Sequence, residues 1–256
     1  MFAFRPHKQP LILIVLTVCI IGLALLYFFF QRPSDGDYEV ASNKLQSMLS
    51  VKTTINKMVG DIKYSTNIND GLVLKLENSV TTFNDNFASL SKTSAVSRDS
   101  ALKTTYDQYK STFTDYGQAA KNLVDSLKKY LSVRSTCTTL VDKISKLGTV
   151  NDFDNAAKEC KTAIDNAKSA SYTPFNDQFL ADHIARVADL VAAYREVMIK
   201  ASAGASTISL DGVTLATQRL ATTELSKLEF LLTPDPSNAF SSVNEAITKQ
   251  KTNFLR

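Results

Sequence analysis

From residue 38 onward, apolar side chains recur at steps of three and four, the period that gathers them on one face of an α-helix. Ala41, Leu45, Met48, Ile55, Val59 and Ile62 share a face over about Tyr38 to Tyr64, with Lys52 as the one misfit. After the turn signal Asn69, Asp70, Gly71, a second stripe of Val73, Leu76, Val80, Phe83, Phe87 and Leu90 makes the seam that a left-handed helix bundle requires. A Ser/Thr-rich connector over 91–97 leads into the longest run, 98–147. There Leu102, Tyr106, Tyr109, Phe113, Tyr116, Ala120, Leu123, Leu127 and Tyr130 keep the spacing, and Cys137, Leu140, Ile144 and Leu147 resume it after a kink or phase shift expected in the β-branched, Ser-rich stretch 132–136. Unbroken, such a helix is about 75 Å long.

Gly148 and Thr149 end that helix, and Asn151 or Asp152 caps the next, which runs to about Ala170 with Phe153, Ala157, Cys160, Ile164 and Ala167 inward. Residues 171–177, with Pro174, form a loop; Phe179, Ile184, Val187, Val191, Tyr194, Met198 and Ala201 form a further stripe that stops at Gly204. Around Asp211 and Gly212 the pattern is double. Ile208, Leu210, Val213 and Leu215 alternate as in a hairpin, but a lone two-stranded hairpin is marginal beside helices, so a helix capped by Asp211 and running to Leu232 is preferred. Pro234 and Pro236 close it, Ser237 caps the last helix, and Phe240, Val243, Ile247 and Phe254 face inward.

The N-terminal stretch 11–30, LILIVLTVCIIGLALLYFFF, differs in kind, because it carries no charge at all. Twenty such residues in a helix reach about 30 Å, the thickness of a bilayer's hydrocarbon core, so a single membrane-spanning anchor is expected there. Residues 1–10, with Arg5, His7 and Lys8, then form a cytoplasmic head, 31–37 a linker, and the C-terminal part lies outside the cytoplasm. A cleaved signal peptide is the competing reading. The run is long for one and ends in Tyr27, Phe28, Phe29 and Phe30, which suit an interface belt; a lipoprotein at Cys19 is disfavoured by Val18 before it.

The expected fold class is therefore all-α: one N-terminal transmembrane helix, then an elongated antiparallel bundle of about six helices. A first bundle occupies 38–170 and contains the long helix 98–147; residues 171–256 form a second bundle or continue the first. In outline this resembles spectrin-like bundles and the helical sensor domains of chemoreceptors, but no motif carries a family assignment. Composition agrees, with only 8 Gly, 6 Pro and no Trp in 256 residues. The net charge of +4 sits largely beside the apolar stretch: setting aside Arg5, Lys8 and Arg32 reduces Lys+Arg from 29 to 26, against 25 Asp+Glu. A nearly neutral domain without a basic stripe argues against nucleic acid as a partner. Asn-X-Ser/Thr sequons are absent, which favours a bacterial origin.

Candidate chemistry is sparse. Cys137 and Cys160 fall on the apolar stripes of consecutive antiparallel helices, nearly equidistant from the turn at Gly148 and Thr149, so a disulfide is expected; the alternative is a pair of buried thiols. His183 is the only histidine outside the N-terminal head and has no nucleophile elbow to serve, which leaves it a helical, partly buried residue. Tyr106, Tyr109, Phe113 and Tyr116 could line a ligand pocket, although aromatics at this spacing ordinarily form core. No catalytic, cofactor or metal site is expected. The leading functional expectation is a membrane-anchored, non-enzymatic interaction or scaffold protein, an accessory subunit that meets another membrane or envelope protein. The alternative is a ligand-binding sensor that signals through a membrane partner.

Overall fold

The computed structural model describes residues 17–22, 32–62, 68–144, 146–168, 174–221 and 232–254, with backbone alone for 174–179 and 254. Between residues 35 and 254 these residues form nine helices: α1 Asp35–Asp61, α2 Asp70–Leu90, α3 Ser94–Arg98, α4 Ser100–Ile144, α5 Val150–Ala156, α6 Lys158–Lys168, α7 Pro174–Ser202, α8 Asp211–Ala221 and α9 Ser237–Phe254. The chain is all-α, with no strand among the described residues.

The expected transmembrane helix is corrected. Among the described residues, no helix is long and apolar enough to cross a membrane. Of the stretch 11–30 only 17–22 are described; they are helical, with Val18, Ile20 and Ile21 exposed. The rest of the stretch and the head 1–10 lie outside the described residues. Hydropathy reports what a segment would prefer to touch, whereas a span also requires some eighteen continuous helical residues.

The contacts divide the chain into two compact units, neither of them continuous in sequence. The first comprises Met1–Ser47, Asn86–Ser111 and Ser237–Arg256, and the second Met48–Asp85 and Thr112–Pro236. In the first unit Leu45, Leu90, Val96, Leu102, Tyr106, Phe240 and Val243 are buried. The expected connector 91–97 is itself partly helical. Thr93 caps α3, whose end at Asp99 is extended, and Asp99 Oδ1 then accepts from the amides of Ala101 and Leu102 at 2.9 and 3.0 Å, capping α4. The other oxygen of the same carboxylate, Oδ2, accepts from the Tyr38 hydroxyl of α1 at 2.6 Å. Burial first, and Asp99 second, raise the Tyr38 pKa. Ser242 of α9 donates to the Tyr109 hydroxyl at 3.1 Å.

In the second unit the periodicity holds through most stripes. Met48, Ile55, Val59, Ile62, Val73, Leu76, Val80 and Phe83 are all buried. α4 runs without a break through 132–136 and its stripe keeps phase there, because Val133, fully buried, is the stripe position between Tyr130 and Cys137. Ser135 and Thr136 of that stretch bond back to their own helix, both to the Ser132 carbonyl, so they need no break in it. The capping box of α5 is complete, with Thr149 and Asp152 exchanging side-chain and backbone bonds. Residues Asp211–Ala221 are helical and not a hairpin, with Asp211 the first residue of the helix and not the cap before it, and Val213 and Ala216 pack beside Leu190, Tyr194 and Val197 of α7 and Val141 of α4; residues 222–231, over which the helix was expected to continue, lie outside the described part. Gly204, at φ 73°, ends α7: its amide bonds to Ala201 and that of Ala205 to Lys200, the paired bonds that favour a left-handed glycine there.

Gly117 stands inside α4 and is buried, where glycine costs about 1 kcal/mol relative to alanine. Its reason is on α2, since a Cβ at this position would overlap the side-chain oxygen of Asn84. Gly117→Ala alone is expected to be nearly neutral, the helix gain being offset by displacing Asn84. Added to Asn84→Ala, the same change should stabilise by about 1 kcal/mol. Urea unfolding of the two single variants and the double variant checks this through their midpoints.

Candidate functional site

Cys137 on α4 and Cys160 on α6 are joined by a disulfide, with Cα atoms 4.8 Å apart and a sequence separation of 23. Both cysteines are buried, beside stripe neighbours Leu140, Ile164 and Ala167 that are buried too. The bond closes a loop that contains α5, a helix of seven residues, and only the first residues of α6, one of eleven, which continues past Cys160. α5 is held a second way. Arg195 of α7 donates from Nε and Nη2 to the two oxygens of Asp154 at 2.9 and 3.0 Å, a bidentate pair that lowers the Asp154 pKa.

The four aromatic residues considered for a pocket are distributed over both units. In the first, Tyr106 is buried with its ring 6.0 Å from that of Phe87, burial pushing its hydroxyl up to about 12, and Tyr109 is half-buried against Ser242. In the second, Phe113 and Tyr116 are buried. Tyr116 lies 5.0 Å from Phe83, ring centroid to centroid, and donates to Asn56 Oδ1 at 2.8 Å. All four serve packing and helix-to-helix bonds.

Tyr116 and Asn56 have a charged neighbour. Lys52, the misfit of the α1 stripe, is buried and reaches Asp235 at 2.9 Å, and Asp235, after burial itself, raises the Tyr116 pKa. The stripe therefore tolerates a lysine because the aspartate between Pro234 and Pro236 meets it. The break in periodicity at Lys52 was a legible sign that a partner existed, although not of which one.

The second unit carries an open groove of about 520 Å³ lined by Asn69 and Asp70 at the start of α2 and by Lys128, Ser132, Arg134 and Ser135 of α4. Arg134 Nη1 donates to the Ile68 carbonyl at 3.0 Å, and Lys128 pairs with Glu77 at 2.6 Å. A smaller groove of about 220 Å³ lies between Glu77, Asp85, Lys121 and Asp125. None of the four aromatics lines either groove. Among the described residues no group of three or more His, Cys, Asp or Glu is placed to hold a metal ion. His183 is buried on α7 against Tyr130 of α4, with ring centroids 4.2 Å apart.

Compared with protein-family models, curated proteins and solved structures, the chain matches none.

Proposed function

We propose that this chain is a non-catalytic interaction module, a scaffold or accessory subunit that meets another protein in an oxidising compartment of the cell envelope. The observation that carries the reading is the Cys137–Cys160 bond, because such bonds persist where thiols are not kept reduced. The use made of charge supports it further. Lys52–Asp235, Lys128–Glu77 and Arg195–Asp154 each tie one segment to another, so these groups serve to hold surfaces in place. Exposed Ile199 and Leu215, on α7 and α8, and Leu210 just before α8 offer apolar contact to a partner.

The second reading, a ligand-binding sensor module, is favoured by the groove at Asn69, Lys128 and Arg134, where two cations stand beside two serine hydroxyls. Mild crosslinking in native cells, followed by gentle purification and mass spectrometry, separates the two. A stoichiometric protein partner that is lost on Leu210→Asp with Leu215→Asp is the expected outcome. Recovery of the chain alone, crosslinked to nothing, overturns the interaction reading and leaves the groove as the feature to pursue.

A further inference from the structure

His183 is buried where an apolar side chain would serve packing equally well. It is 2% exposed, its ring is tilted 46° against that of Tyr130, and neither ring nitrogen has a hydrogen-bond partner among the described residues. The charges that bear on it are both positive, Arg134 on α4 and Arg186 on its own helix α7. Each guanidinium is anchored to a backbone carbonyl, Arg134 to Ile68 at 3.0 Å and Arg186 to Arg219 at 2.6 Å. A neutral imidazole fits this place as a flat ring on an aromatic neighbour. An imidazolium there would carry two donors with no acceptor, beside two cations.

We propose that His183 is an acid-operated release: protonation of its ring breaks the contact with Tyr130 and frees α7 from α4. In the closed form burial, and after it Arg134 and Arg186, hold the imidazole down to about 4, against an ordinary 6.5. Between those two values the opened chain binds a proton that the closed chain does not. Closure is therefore unaffected above pH 6.5, weakens as the pH falls through the window, and loses nothing further below about 4. The carboxylates tied to α7 act lower. Arg195 holds Asp154, and Lys200 holds Glu196, below their ordinary values of 3.8 and 4.5, so they lose charge only where the effect of His183 is ending.

Native-state hydrogen exchange on the full chain tests the release. Between about pH 7 and about pH 4.5 the opening equilibrium of α7 amides, corrected for intrinsic exchange, should rise by roughly 50–100-fold, with α9 amides of the first unit as internal control. In His183→Met the rise should vanish. His183→Gln, which keeps a polar group but cannot titrate, should also be flat and guards against a repacked methionine variant. A wild-type α7 whose opening does not change over this range overturns the proposal, as does an unchanged rise in either variant. Should neither variant fold, the wild-type curve decides: uptake of one proton beginning near pH 6.5 supports the release, and a rise confined below about pH 4 overturns it.

Discussion

Replacing both Cys137 and Cys160 by alanine is expected to lower the stability of the second unit by about 3 kcal/mol. The bond spans 23 positions of chain, and opening it restores that loop's freedom to the unfolded state. Alanine is the appropriate replacement, since both sites are buried and serine would add a hydroxyl with no assured partner. The effect should concentrate in α5 and α6. Helices of seven and eleven residues do not persist on local bonding alone, so they depend on their ties to α4 and α7. Thermal melts with and without reductant check this. The oxidised chain should melt about 10 °C above the reduced one, and the double-alanine variant should melt near the reduced chain and ignore reductant. An oxidised chain that melts at the same temperature as the reduced one would show that the bond contributes nothing to stability.

Phe83→Ala should cost about 3–5 kcal/mol, the range for removing a fully buried aromatic ring from a packed core. The ring faces Tyr116, whose hydroxyl is fixed on Asn56, so the neighbour cannot move into the vacated space without losing a hydrogen bond. Part of the cost is therefore specific to the pair. A double-mutant cycle of Phe83→Leu with Tyr116→Leu should return a coupling of about 1 kcal/mol, the value typical of edge or tilted aromatic pairs. Urea midpoints of the four proteins measure it, and additivity would mean that the rings merely fill volume side by side.

The helical stripes were legible because a three-four period needs no knowledge of the neighbour. Leu45, Met48, Ile55, Leu76, Phe83, Leu127, Ile164 and Val243 are buried for the reason their spacing announces. What the pattern could not show is how one stripe's polar exception meets another's. Lys52 signalled a partner but not Asp235, which is 183 positions away and lies between two prolines. Helix propensity alone makes Gly117 a weakness of α4, and only the fold shows the Asn84 side chain occupying the space a Cβ would need. Composition marks the β-branched, Ser-rich stretch 132–136 as a place for a shift, yet Val133 falls on the stripe's own step and is buried. The stretch 11–30 marks the opposite limit, where composition alone suggested an element that the described residues do not contain. Cys137 and Cys160 were informative through symmetry about the turn at Gly148, which places two stripe positions face to face. His183 carried no such signal, since its meaning depends wholly on Tyr130 and the two arginines beside it.

The divided carboxylate of Asp99 bears on a different question, that of alignment. Apolar seams repeat every seven residues, so two helices whose stripes match can slide by a heptad, about 10 Å, and still cover each other. One oxygen of Asp99 marks where α4 begins, and the other is reserved for the Tyr38 hydroxyl of α1. A slide would leave that buried phenol without its acceptor while every aliphatic contact found a substitute. The single shared side chain thus works as an index mark, selecting one of several otherwise equivalent offsets between α1 and α4 in the first unit.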